Sequence, residues 1–128
     1  MGYAVLNLRE DVDDAAQSFG LSPQLEARFA RKALDAKKVG LSYQRLQPNF
    51  RVPFAHNHAT QEEIYVILSG SGRAKVEDEI VELKQWDALR VDKETTRGFE
   101  SGPDGMELIA IGAPATEQND AEMVKDWW

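Results

Sequence analysis

His56-Asn57-His58-Ala59-Thr60-Gln61-Glu62-Glu63-Ile64-Tyr65-Val66-Ile67-Leu68-Ser69-Gly70 carries both histidines of the chain, two residues apart, and runs from them into a β-branched and aromatic segment. On a strand, residues i and i+2 point to one face, so the two imidazoles project together. Glu63 opens the apolar run after the polar turn Ala59-Thr60-Gln61-Glu62. An antiparallel hairpin through that turn would bring its carboxylate back across from the histidines. Two imidazoles and a carboxylate on one inward face suit zinc, iron, manganese, nickel or copper, without choosing between them. The plainer alternative is a hydrogen-bonded histidine pair on a sheet surface, with Glu62 and Glu63 in solvent. The carboxylate and the apolar run behind it favour the ligand cluster.

The surroundings of this stretch read as strands and turns. Leu41 to Leu46 alternates and stops at Pro48-Asn49, and Glu63 to Leu68 is closed by Gly70-Ser71-Gly72, read as a hairpin turn. Ala74 to Glu77 and Ile80 to Leu83 flank an acidic turn at Asp78-Glu79; Ala88 to Val91 and Met106 to Ile111 are two further strands. The last is bracketed by Gly102-Pro103-Asp104-Gly105 and Gly112-Ala113-Pro114. Short strands so closely spaced suggest a mainly β antiparallel sandwich or barrel. Asp11 to Phe19 is expected to form a short helix ended by Gly20. Leu25 to Leu34 fits both periods, and a helical turn after Ser22-Pro23 followed by a strand is expected there. The tail from Thr116 is polar until Met123-Val124 and ends in Trp127-Trp128, a pair expected to pack over a barrel mouth or a partner subunit.

Composition sets the outer bounds. A chain of 128 residues, 42% hydrophobic and 29% charged, fits one soluble domain: 1–39 as an N-terminal extension with the first strands, 40–113 as the barrel, 114–128 as the tail. There is no cysteine, which removes disulfides and thiolate chemistry. A net charge of −7, with Lys and Arg interspersed among acids, argues against nucleic acid. No apolar run is long enough to cross a bilayer, and Met1 to Asp11 lacks a secretory pattern, so a cytoplasmic location and no membrane partner are expected.

His56-x-His58, four residues, Glu63, six residues, Gly70 resembles the first motif of the cupins, and the similarity extends over roughly Tyr43 to Gly112. The resemblance implies a cupin double-stranded β-helix (jelly-roll) barrel, with the short N-terminal helical segment added, an interior metal on His56, His58 and Glu63, and a homodimer. The second motif differs: Trp86-Asp87 stands for the usual Gly-Asp, and Arg97 stands at the fourth ligand. Arginine does not ligate metals, because its guanidinium stays protonated.

Three arrangements of Arg97 follow. A divalent metal (iron, manganese, nickel or zinc) can sit on the three remaining ligands, with Arg97 binding a substrate carboxylate or phosphate. Arg97 can instead pair with Glu63 in place of metal, leaving a metal-free barrel that binds or senses a small ligand. Or it can point outward. Tyr65 shares the inward face of Glu63, Phe99 follows Arg97 by two and can wall the pocket, and Tyr43 with Arg45 shares a face that can look inside. Tyr65, Tyr43, Arg45, Phe99 and Arg97 are therefore the candidate substrate-binding residues. Asp87 is expected to fix a turn and Glu62 to face solvent. The expected partner is a small, anionic molecule; the expected chemistry, if catalytic, is that of an oxygenase, isomerase or hydrolase. With both histidines in one cluster, no Ser/His/Asp arrangement is available.

Overall fold

The computed structural model describes residues 2–115 and 120–128. Met1 and the start of the polar tail, Thr116 with the three residues after it, lie outside the described residues. Eight strands follow one another: β1 (Leu25–Phe29), β2 (Gly40–Leu46), β3 (Phe54–His58), β4 (Glu62–Val76), β5 (Glu79–Lys84), β6 (Ala88–Val91), β7 (Arg97–Ala113) and β8 (Ala121–Lys125). A 3-10 helix at Ala15–Phe19 precedes them, and a one-turn helix α1 (Arg31–Leu34) follows β1. All pairings are antiparallel, in the order β1-β2-β7-β3-β8, with β4 alongside β5, β6 and β7.

The two long strands are shared by both halves of a curled sheet. The start of β4 pairs with β6 and with the end of β7; its end pairs with β5 and with the start of β7. β2 lies against the end of β7 and β3 against its start. One curled sheet thus has two halves facing each other over a core of Leu46, Tyr65, Ile67, Ala74, Leu83, Val91, Phe99, Met106 and Leu108. Burying this apolar set between the halves is the main source of stability.

Gly70-Ser71-Gly72 is not the hairpin turn its composition suggests. β4 runs through it, with register shifts between Ile67 and Ser69 and between Gly70 and Gly72. Glycine signals a bulge or a close backbone approach as readily as a turn. Here Gly70 has φ +73°, and a Cβ on it would lie 2.1 Å from the Gly105 carbonyl oxygen. The Gly102 to Gly105 segment is likewise inside β7. The actual hairpin turn falls at Glu77-Asp78, where Glu77 takes φ +50°.

At the N-terminus, Asp14 caps the 3-10 helix and ties it to the barrel: its Oδ1 accepts from the Ala16 and Ala27 N–H groups, each at 2.9 Å. Gly20 ends the helix in the left-handed region. Leu25 to Phe29 resolves as a strand because Leu25 and Ala27 enter the core, while Glu26 meets Arg9, Arg28 and Arg45. The tail is part of the barrel, since β8 pairs residue for residue with β3. Trp127 and Trp128 pack on the outer face of their own barrel rather than over its mouth. Trp127 covers Gly98 and exchanges hydrogen bonds with Lys75. Trp128 lies against Arg51, whose guanidinium carbon is 4.4 Å from the ring centre. No helix among the described residues is long and apolar enough to cross a membrane.

Gly70→Ala should lower the urea midpoint by at least about 2 kcal/mol in unfolding free energy, since it adds left-handed strain to a backbone clash. An unchanged midpoint would show that the two long strands can separate at this bend.

Candidate metal centre

β3 presents His56 and His58, and its register explains what faces them. His56 is the direct cross-strand partner of Arg97, the first residue of β7. β3 and β4 do not form the expected hairpin. Ala59 to Gln61 instead carries the chain from one half of the sheet to the other, and Glu63 reaches the histidines across the interior. Gly112 opposite Glu63 and Ala110 opposite Tyr65 leave room for both side chains.

The site converges on one atom, Glu63 Oε1. His56 Nε2 lies 3.1 Å from it and His58 Nε2 3.0 Å. The Tyr65 hydroxyl donates to it at 2.6 Å and Arg97 Nη2 at 2.9 Å. Arg97 also donates through Nε to the Tyr65 oxygen at 3.0 Å and through Nη1 to the Thr95 carbonyl at 2.7 Å. Its side chain is 0% exposed and paired with Glu63, so of the three arrangements the outward-pointing one is the one the structure contradicts. His56, with 25% of its side chain exposed against 9% for His58, is the open side of the cluster.

Tyr65 and Phe99 stand where expected. Both are buried, with ring centres 4.7 Å apart, and they form an interior wall beside the cluster. Tyr43 and Arg45 do not line the interior. Leu46 on β2 and Leu108 on β7 take the inward positions of that register, so Tyr43 and Arg45 point outward. There the Tyr43 hydroxyl donates to Glu107 at 2.6 Å and Arg45 pairs with Glu26. Asp87 does fix a turn, accepting from the Lys84 N–H, and Glu62 is exposed.

Asp120 is the residue that sequence reasoning missed. Its Oδ1 lies 2.8 Å from His58 Nδ1, although 62 residues separate them in the chain. Only the pairing of β8 with β3 brings it there, and the alternation in Ala121–Lys125 is too short to announce a strand.

Burial opposes ionisation of Glu63, but hydrogen bonds from His56, His58 and Tyr65 outweigh it and hold the carboxyl well below the usual range. Asp120 is likewise depressed, burial being overcome by His58, Thr60 and Gln61. Burial would lower His58, yet its two carboxylate neighbours raise it. Burial together with the Glu63 charge pushes Tyr65 well above its ordinary value, so it keeps its proton.

The donor set fits a divalent ion. Ligand atoms roughly 2.1 Å from a shared ion and at right angles stand about 3 Å apart, the spacing of the two Nε2 atoms from Glu63 Oε1. His56, His58 and Glu63 are the group of three or more such side chains found within 4.8 Å among the described residues. Arg97 donates to the same carboxylate oxygen that both Nε2 atoms approach.

No family model matches the chain. It is 30% identical over 71 residues to an uncharacterized protein of Methanocaldococcus jannaschii, covering 55% of this chain and 57% of that one. The chain therefore spans little more than half the length of this curated relative. A cupin protein from Bacteroides fragilis superposes with a TM-score of 0.73 at 24% identity, over 93% of this chain and 90% of the other. The fold is that of the cupins. A single-substitution variant of Streptomyces Pac13 with uridine superposes on this chain with a TM-score of 0.74 at 15% identity, over 96% of this chain and 89% of the other. Pac13 is described as a nucleoside dehydratase. Salicylate 1,2-dioxygenase from Pseudoaminobacter salicylatoxidans gives 0.64 at 12%, over 77% of this chain and 28% of that one.

The metal-free protein should be most stable near pH 5 to 6.5. Glu63, Asp120 and Glu26, the last lowered to about 2, are depressed in the fold. They stabilise above their unfolded values near 4 and lose that contribution as pH falls. His58 is raised, so its contribution is complete below about 6.5 and disappears as pH climbs through its folded value. Melting temperature against pH in the presence of chelator should fall on both sides, and His58→Gln should flatten the alkaline limb. An alkaline limb unchanged in that variant would remove His58 as its cause.

Proposed function

We propose that this cupin holds a divalent transition metal on His56, His58 and Glu63 and binds a small anionic molecule beside it. The observation that carries the proposal is the approach of both Nε2 atoms to one carboxylate oxygen at coordination-edge spacing. Iron, manganese, nickel and zinc all suit this donor set. When bound, such an ion acidifies a water or polarises a substrate oxygen.

The chain's own residues have distinct parts. Arg97 offsets the charge of Glu63 and fixes Oε1 in place through Tyr65 and Thr95. Tyr65 keeps its phenolic proton on the bond to Glu63, and Phe99 helps to exclude water from that side. His56 is the exposed flank, so a ligand enters past it. With a doubly charged ion present, Arg97 against Glu63 and Asp120 leaves one net positive charge, which favours an anionic ligand. Oxygenation, isomerisation and hydrolysis are all within reach of this set. The fold is shared with a nucleoside dehydratase and a salicylate dioxygenase, proteins of small polar substrates.

A second reading is supported by the Arg97–Glu63 contact itself: the guanidinium stands in for the ion, and the barrel binds a small ligand without metal and without catalysis. Elemental analysis after loading with each metal, on protein purified without chelating resin, separates the two. The first reading expects near-stoichiometric metal, lost in His56→Ala, and tighter binding in Arg97→His, which restores a fourth ligand. No retained metal with any of the four would leave the second.

We also propose a cytoplasmic homodimer. Ile64 and Ile111, cross-strand partners on the outer face, are each 39% exposed, and Tyr3 and Val5 are 74% and 85% exposed. An apolar sheet face with an apolar extended segment on the same chain favours association of two copies. Sedimentation at micromolar concentration should give twice the chain mass; a single-chain mass would reject the dimer.

A further inference from the structure

An imidazole that offers one nitrogen to a metal must keep its proton on the other, so the group facing that second nitrogen decides which tautomer and which ring orientation prevail. For His58 that group is Asp120. Its Oδ1 stands 2.8 Å from Nδ1, while Nε2 points at Glu63. The carboxylate is held against rotation. Oδ2 accepts from the Thr60 N–H at 2.9 Å, the Thr60 hydroxyl at 2.9 Å and the Gln61 N–H at 3.1 Å; Oδ1 also accepts from Gln61 Nε2 at 3.0 Å. Side chains of both His58 and Asp120 are only 9% exposed, so water does not compete for the bond. His56 has no comparable carboxylate on its other nitrogen among the described residues.

We propose that Asp120 is the positioning residue that presents His58 Nε2 for coordination, delivered to the site by the pairing of β8 with β3. This rests on the metal reading above. Asp120 sits one residue ahead of β8, and β8 pairs along the whole ligand strand from Phe54 to His58. Beyond β8 the chain bends at Asp126 into Trp127 and Trp128, which fasten it to Lys75 and Arg51 on the outer face. Asp120 is therefore held at both the turn and the strand, and its place beside His58 is a property of the folded barrel.

The test compares wild type with Asp120→Ala, Asp120→Asn and Thr60→Ala by zinc titration against a competing chelator and by nitrogen NMR of the histidine rings. Wild type loaded with zinc should show His58 protonated on Nδ1. Asp120→Ala should weaken zinc roughly 10- to 100-fold and lose that single tautomer. Asp120→Asn keeps the shape and one acceptor, and should fold with a smaller loss, about threefold to tenfold. Thr60→Ala removes one turn contact without touching His58; it should lower the melting temperature and keep the affinity within about threefold, the tautomer unchanged. Full affinity in both Asp120 variants, or an equal loss in Thr60→Ala, would overturn the role. Wild type that takes up no zinc, iron, manganese or nickel would instead overturn the metal reading and the role with it.

Discussion

A guanidinium sealed from water must find its counter-charge inside the protein, and the barrel is arranged around that requirement. Arg97 is wholly buried at the start of β7 and meets Glu63 at the start of β4. Removing one member of such a pair leaves an uncompensated buried charge, a change that costs about 3–5 kcal/mol. The pair is also satisfied on every side: Tyr65 bridges its two members and Thr95 takes a further guanidinium hydrogen. Both histidines direct Nε2 at the carboxylate oxygen that Arg97 already holds. The ion pair does not compete with the histidine cluster; it sets where the cluster's carboxylate stands.

That pair can exist only because β4 and β7 run the length of both halves of the sheet. Glu63 and Arg97 lie in different halves, and the strands cross between them at the bend where Gly70 meets Gly105. Side chains at that bend would push the strands apart. The glycines, remote from any chemistry, thus govern the distance between a carboxylate and two imidazoles. This is why a local turn signal and a site geometry are linked in a barrel of this kind.

Much of this was legible in the residues alone. Alternation in Leu41 to Leu46 located β2, apolar runs bounded by turn residues located the start of β4, β6 and the end of β7, and the His56, His58, Glu63 spacing located the candidate cluster. The inward face of β4 placed Tyr65 with Glu63. What failed was whatever depends on which strand neighbours which. Glu63 reaches the histidines across the interior and not through a hairpin, yet both arrangements demand the same spacing. The face of β2 that looks inward is set by Leu46 against Leu108, and nothing local to Tyr43 or Arg45 distinguishes it. Gly70-Ser71-Gly72 carries turn composition but serves a bend within a strand. Asp120 was invisible because its partner lies 62 residues away and only a five-residue edge strand connects them.

The site is divided between unequal supports. Glu63, Tyr65 and Arg97 belong to strands paired along most of their length, whereas β3 touches β7 at the single registered pair His56–Arg97 and otherwise leans on β8. Strands with fewer partners open more readily and more often than the global unfolding transition. Any opening of the site will therefore begin on the histidine side, with the carboxylate, phenol and guanidinium left standing as a fixed template. On the proposed function, the rate at which a bound group leaves would follow the opening of β3 and β8, while its identity would be selected by Glu63, Tyr65 and Arg97 on the more fully paired strands.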